Sequence, residues 1–323
     1  MKKTIKFALL TLTLFLAGIF NHSMVQPSQR VTAQETHDFR VGYVAYTLND
    51  PFQNYLINAA KSKAEELGYQ FELVNAEEDL IRQQDHVITL IENGIDALVV
   101  VPYDTSAMGP ITQAAVDADI PLVYLNRNPF ATIDDMPEGV YYVGSDEVIA
   151  GNLQAQEAGR LLDGQGNVAI ILGQLGVENT ILRTLGVTSY FEEHYPEMKI
   201  IAEETALEQR DKAVSLTENL ISAYGDDLHA ILANNDEAAL GAVQALQNAG
   251  RDDVIVMGVD LIPDAKEAIA NGTMTASIFQ DAEGQGKGTL DILSKVYSGQ
   301  DIDSPVHYID FQLVTSDNLA NFN

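Results

Sequence analysis

From Arg40 to the end of the chain, short apolar runs alternate with longer amphipathic stretches. The apolar runs Arg40–Tyr46, Gln70–Val74, Asp96–Pro102, Pro121–Leu125 and Val140–Val143 are rich in Val, Ile and Leu. Near-continuous runs of that kind predict strands buried on both faces, as in parallel sheets. Between them the spacing predicts helices over Pro51–Leu67, Ile81–Glu92, Ser106–Asp117 and Asp146–Leu162, the first two closed by Gly68 and Asn93-Gly94. The pattern then restarts, with strands at Asn167–Leu172, Lys199–Ala202, Leu228–Ala233, Val254–Val259 and Thr273–Phe279. Its helices are Thr180–Glu193, Glu208–Tyr224, a small-residue helix ending at Gly250, Pro263–Ala270 and Glu283–Tyr297. Val306–Thr315 reads as an extended tail. About ten strands are too many for one compact doubly wound sheet, so the expected class is α/β with two parallel sheets. Right-handed crossovers should build each sheet.

The odd polar residues fall at one kind of place. Asp50 follows the first strand, Asn126-Arg127 the fourth, and Asn179 and Arg183 the first strand of the second half. Glu208, Asn235, Asp260 and Gln280 follow later strands. Ligands of open α/β sheets bind at the carboxyl ends of strands, and two sheets facing each other by those ends would gather all these groups in one cleft. Asp accepts from two hydroxyls, Asn and Gln donate and accept, and Arg offers a planar fork of donors. That set suits a neutral polyol, and Phe52 could cover the apolar face of a sugar ring. Plainer roles stand beside these. Asp50 and Asn235 could be helix caps, Arg183 a solvated helix residue, and Asp260 a turn residue. Arg127 could pair with Asp134 or Asp135 at the surface, and Phe52 could be core.

Charge and composition narrow the class. The chain has 323 residues, a formal charge of −29 and no Cys. Such a surface repels phosphate backbones, so nucleic acid is not an expected partner. Disulfides, thiol chemistry and lipid attachment through Cys fall away with the absent residue. The first 33 residues combine Lys2, Lys3 and Lys6 with an apolar Phe7–Phe20 stretch and a small-residue site at Val31-Thr32-Ala33. This predicts a secretory signal, with retention as an uncleaved membrane anchor the alternative. The six His, at 22, 37, 86, 194, 229 and 307, show no metal-pair spacing. Gly164-Gln165-Gly166 precedes a strand, and Gly284-Gln285-Gly286-Lys287-Gly288 lies within a helix pattern, so neither is a phosphate loop. No catalytic set, metal or cofactor is expected.

Several segments together resemble the periplasmic sugar-binding proteins of the ribose/galactose-binding type that serve ABC importers. They are Thr47–Phe52 (TLNDPF), Tyr141–Asp146 (YYVGSD), Ala233–Leu246 (ANNDEAALGAVQAL), Met257–Ala265 (MGVDLIPDA) and the tail Ser316–Phe322 (SDNLANF). The tail is most similar to the galactose/glucose branch. The resemblance implies two Rossmann-like domains joined by a three-crossing hinge, with crossings near Gly144-Ser145, Gln280-Asp281 and Asp310-Phe311. The implied division is a signal peptide over 1–33, one lobe of 34–144 plus 282–309, and another of 145–281 plus 310–323. It implies ligand contacts from Asp50, Phe52, Asn126, Arg127, Asn179, Arg183, Glu208, Asn235, Asp260 and Gln280. Val177 stands where the galactose/glucose proteins carry a sugar-binding His, and Glu208 where the family carries a stacking Trp or Phe. The turn Leu162–Asn167 lacks the calcium ligands of the galactose type, so no calcium is expected. The implied function is capture of a monosaccharide, a hexose first, by an exported monomer that delivers it to an ABC permease. A pentose or inositol ligand, presented to a chemoreceptor or sensor kinase, is the alternative.

Overall fold

The computed structural model describes residues 38–322. The expected signal segment lies outside the described residues. In chain order the first part runs β1 (Arg40–Ala45), α1 (Pro51–Leu67), β2 (Gln70–Asn75), α2 (Leu80–Glu92), β3 (Ala97–Val100), α3 (Gly109–Asp117), β4 (Leu122–Leu125) and β5 (Val140–Gly144). The second runs α4 (Glu147–Leu161), β6 (Gln165–Leu172), α5 (Glu178–His194), β7 (Glu197–Thr205), α6 (Arg210–Tyr224), β8 (Ala230–Ala233), α7 (Asp236–Ala249), β9 (Ile255–Asp260), α8 (Pro263–Ala270) and β10 (Ala276–Phe279). Then come α9 (Ala282–Tyr297), β11 (Val306–Tyr308) and β12 (Gln312–Thr315).

These strands form two six-stranded sheets, ordered β11-β5-β4-β3-β1-β2 and β12-β10-β9-β8-β6-β7. The α/β class with two mostly parallel sheets expected above is what the chain adopts. Among the described residues, the single antiparallel pairing is β12 on β10. The extended tail is therefore two edge strands, one on each sheet. Each sheet carries a core on both faces. Val41, Tyr43, Leu56 and Leu290 belong to one face of the first sheet, and Val44, Leu90, Leu98 and Ile111 to the other. Full burial of a side chain such as Leu56 stabilises by roughly 1.5–3 kcal/mol. The helix expected over Ser106–Asp117 divides in two. A short 3-10 turn at Thr105–Ala107 precedes α3, because Pro110 in the first turn has no N–H to continue an earlier helix.

The chain passes between the sheets three times. Gly144 ends β5 and Ser145 leads into α4, which packs with α5 on the second sheet. Gln280-Asp281 leads from β10 into α9, which packs on α1. Ile309–Phe311 joins β11 to β12. The crossings are stitched together: Ile309 N–H donates to Gly144 O at 2.7 Å, Ser145 Oγ to Ile309 O at 2.7 Å, and Gln285 Nε2 to Ser145 Oγ at 3.0 Å.

One helix pair sets the position of a buried arginine. A Cβ on Gly151 of α4 would collide with the carbonyl oxygen of Arg183 on α5, and a Cβ on Gly186 with that of Val148. The two glycines let the backbones touch, which brings Glu147 at the start of α4 onto Arg183. Gly151→Ala should therefore lower stability by about 1–3 kcal/mol in equilibrium denaturation, since the helices must part. An unchanged or raised stability would show that the close approach is not required.

Candidate functional site

Ten residues proposed from the sequence, together with Gln53, line one partly open cavity. They are Asp50, Phe52, Asn126, Arg127, Asn179, Arg183, Glu208, Asn235, Asp260 and Gln280. The space they border measures about 260 Å³ with the adjoining open solvent counted, so it is narrow as it stands. Asp50, Phe52, Gln53, Asn126 and Arg127 come from segments around the first sheet. Asn179, Arg183, Glu208, Asn235 and Asp260 come from segments around the second, and Gln280 lies at a crossing.

The backbone is bent to aim these groups. Asn126, Glu208 and Asp260 all have positive φ, at 69°, 61° and 124°. Asn tolerates the left-handed region, but Glu208 there and Asp260 at 124°, outside it, cost roughly 1–3 kcal/mol each. At Asp260 the strain is held by a buried brace. Leu261 N–H donates to Ser277 Oγ at 3.1 Å, Ile262 N–H to Asp236 Oδ2 at 2.9 Å, and Ser277 Oγ to Asp236 Oδ1 at 2.7 Å. Asp236 was not expected in that role. It takes it because Asn235 caps α7, accepting from Ala238 N–H at 3.1 Å.

Both arginines are buried, 2% and 3% exposed, so each needs acceptors all round. Arg183 donates Nε to Glu147 Oε2 at 2.6 Å, Nη1 to Asn234 O at 2.6 Å and Nη2 to Gln280 Oε1 at 3.2 Å. Removing one partner of such a buried pair typically costs about 3–5 kcal/mol. Arg127 lies 4.1 Å over the Tyr46 ring and donates Nη2 to Tyr46 Oη at 3.1 Å and to Glu208 Oε2 at 3.1 Å. That last bond joins a loop of the first sheet to a loop of the second. It replaces the surface pairing with Asp134 or Asp135 that the sequence allowed.

Several polar atoms are left open. Gln53 Oε1, Arg127 Nε and Gln280 Nε2 are buried without a partner. Asp260 makes no side-chain hydrogen bond among the described residues, although it faces the cavity. Buried unpaired groups cost stability unless something satisfies them. Here they are two acceptors and two donors around one space, the complement of a polyhydroxyl solute. Among the described residues, no three His, Asp or Glu side chains gather so as to hold a metal ion.

Carboxylates outnumber guanidiniums at this centre. Asp50 and Asp260 keep part of their surface open to the cavity, yet burial dominates their ionisation. It pushes Asp50 up to about 6, with Glu208 adding to the rise. It holds Asp260 well above the ordinary carboxylate range, with Asp236, Asp50 and Glu208 adding and Arg183 opposing. Behind the cavity, burial and Glu147 raise Glu178 to about 8, and burial raises Asp236 to about 7.

Four contributors escaped the strand-end argument: Gln53, Tyr46, Glu147 and Glu178. A signal existed for two of them. Gln53 lies on the buried stripe of α1 with Leu56, Ile57 and Ala60, and Glu147 on that of α4 with Ala150, Gly151 and Gln154. A polar residue on an apolar helical stripe needs a buried partner, and the helix periodicity exposes it. Asp50 and Asn235 serve both readings, since each caps its helix and lines the cavity.

The comparisons with known proteins agree with this geometry. The periplasmic binding protein domain family matches residues 41–301. The chain is 39% identical over 290 residues to a Rhizobium meliloti protein provisionally named for rhizopine binding, covering 88% of this chain and 93% of the relative. It is 30% identical to the ribose import binding protein of Salmonella typhimurium, over 90% of this chain and 96% of the relative. An ABC transporter solute binding protein of Bacillus halodurans, solved with bound myo-inositol, superposes with a TM-score of 0.82 at 34% identity. That match covers 88% of this chain and 97% of the solved one.

The raised carboxylates make a pH prediction. A carboxyl whose pKa is higher in the folded protein contributes stability below its unfolded pKa and loses it as pH rises through the folded value. For Asp50, Asp236 and Glu178 that window runs from the ordinary range near 4 up to about 8. The melting temperature of ligand-free protein should fall by several degrees from pH 5 to pH 8, and Asp50→Asn should flatten the part below pH 6. A melting temperature that rises across this range would contradict the assignment.

Proposed function

Because the chain belongs to the periplasmic binding protein family, we propose that it captures a cyclic polyol of inositol type in this cavity and delivers it to an ABC permease. As a member of that family it is a sugar- or polyol-binding component of an importer and not an enzyme. The proposed lobes are 38–144 with 282–309 and 145–281 with 310–322, moving about the three crossings. Solute between them would hold the closed form. Export to the periplasm or cell exterior goes with this role.

One observation carries the choice of solute. Among the described residues that line the cavity, Phe52 is the single aromatic side chain, and the others are polar or charged. An aromatic side chain can cover the apolar face that a hexose ring offers. Here Glu208 occupies a place where an aromatic would serve, and Val177 takes the place of the galactose-type His. A solute with a hydroxyl on every ring carbon offers little apolar face and many donors and acceptors. The bound myo-inositol of the Bacillus halodurans relative supports this reading, and ribose is the nearer rival to it than galactose or glucose.

In the proposed complex Asp50, Asn235 and Asp260 accept hydroxyl protons, as does Gln53 Oε1. Arg127, Arg183 and Gln280 Nε2 donate, Asn126 and Asn179 do both, and Phe52 covers one face. Glu208 orients Arg127 and borders the solute.

Among neutral solutes, myo-inositol should raise the melting temperature more than xylitol, ribose, galactose or glucose. A ligand at one hundred times its Kd adds about 2.7 kcal/mol of stability. Asp260→Ala should weaken binding by one to two orders of magnitude in calorimetry, since the hydroxyls it serves lose their acceptor. Glucose or galactose ranking first would overturn the cyclitol reading, and wild-type affinity in Asp260→Ala would overturn the site.

A further inference from the structure

The loop after β4 meets the opposite sheet at two successive residues. Arg127 reaches Glu208 with its guanidinium at 3.1 Å, and the backbone N–H of Asn128 donates to the carboxyl of Glu178. Asn128 is itself fixed, since its Oδ1 accepts from Phe130 N–H at 3.0 Å. Glu178 opens α5 and does not line the cavity, so no solute explains its place. Its Oε2 is buried without a hydrogen-bond partner.

The charges around this carboxyl do not balance it. From its own proposed lobe, Glu147 of α4 and Arg183 of α5 face it. Arg183 is committed to Glu147, Asn234 O and Gln280, and Glu147 Oε1 is also buried and unpartnered. From the other lobe come Arg127, committed to Tyr46 and Glu208, and the phenols Tyr142 of β5 and Tyr308 of β11. Asp146 stands beyond them, beside Glu147 and Tyr308. An ionised Glu178 is therefore met by one neutral backbone donor and a second carboxylate. With the lobes apart, Asn128, Tyr142 and Tyr308 would leave it and water would take their place. Water favours the ionised carboxylate, and the closed arrangement favours the protonated one.

Resting on the two-lobe closure proposed above, we propose that Glu178 is a proton-operated latch, taking up a proton from the buffer as the lobes close and returning it as they part. Its surroundings in the closed arrangement accord with this, since burial, with Glu147 adding, raises the carboxyl to about 8. A group with a higher pKa in the closed form favours closure at low pH and ceases to do so as pH rises through the closed-form value. Solute is then held most firmly in mild acid and released more readily toward pH 8. Arg127 and Glu208, by contrast, keep their charges throughout and hold the same loop without regard to pH.

The test compares wild type with Glu178→Gln, which keeps an oxygen for Asn128 N–H and cannot ionise. Calorimetry on the full chain with myo-inositol at pH 5.5 and 7.5 should show wild type binding more weakly at the higher pH. The ratio of the two Kd values should be about tenfold smaller in the variant. The variant should bind more tightly than wild type at pH 7.5, a gain that a merely structural role for Glu178 does not give. Heats in buffers of different ionisation enthalpy should show wild type taking up more protons on binding than the variant. An equal pH ratio in the two proteins, or weaker binding by the variant at pH 7.5, overturns the latch and leaves the polyol reading standing. If myo-inositol binds to neither, the polyol reading falls and small-angle scattering of ligand-free protein decides the latch. The wild-type radius of gyration should then be smaller at pH 5.5 than at pH 8.5, and the variant compact at both. A pH response that is the same in both proteins, or absent from wild type, overturns the latch.

Discussion

A guanidinium out of water must be surrounded by acceptors, and Arg183 imposes that constraint on the whole second half of the molecule. Its partners come from the first turn of α4, the end of β8 and the crossing at Gln280. To reach it, α4 and α5 must touch, which Gly151 and Gly186 permit. The same contact ties the second sheet to two of the three crossings. Arg127 imposes a matching constraint on the first half, drawing in Tyr46, the Pro102 carbonyl and, from the other sheet, Glu208. The cavity is what remains once these two cations are satisfied.

That remainder has a definite chemistry. Among the groups lining the cavity, Gln53 Oε1, Gln280 Nε2 and Arg127 Nε are buried without a partner, beside the Asp260 carboxylate. Strain at Glu208 and Asp260 is stored in the same place. Fold and site therefore share residues: Asp236 braces the Asp260 turn, and Asp50 and Asn235 start helices while facing the cavity. A substitution at any of them would move both stability and binding.

Much of this was legible in the chain because parallel strands end at a common edge. Asp50, Asn126, Asn235 and Asp260 each follow an apolar run, which makes a shared cleft the economical reading. The helix limits of α1 and α8 were visible too, fixed by Pro51, Gly68 and Pro263. What local pattern did not reveal is pairing across the fold. Nothing near Arg127 in sequence points to Glu208, 81 residues away. Cap and ligand roles cannot be separated by residue type, because Asn and Asp serve both with the same oxygen. Gln53 was hidden behind Phe52, its more conspicuous neighbour, although its place on the buried stripe of α1 marked it. The division of the tail into two edge strands follows from a third crossing that periodicity alone does not register.

We assign the open polar atoms of this cavity to a bound solute. A crystal structure at saturating myo-inositol tests it directly. The account predicts the ring inside the cavity, with hydroxyls within hydrogen-bond distance of Asp260, Gln53 Oε1 and Gln280 Nε2, and Phe52 against one face. Density for the ring anywhere else, with those atoms still unpaired or met only by water, would contradict it.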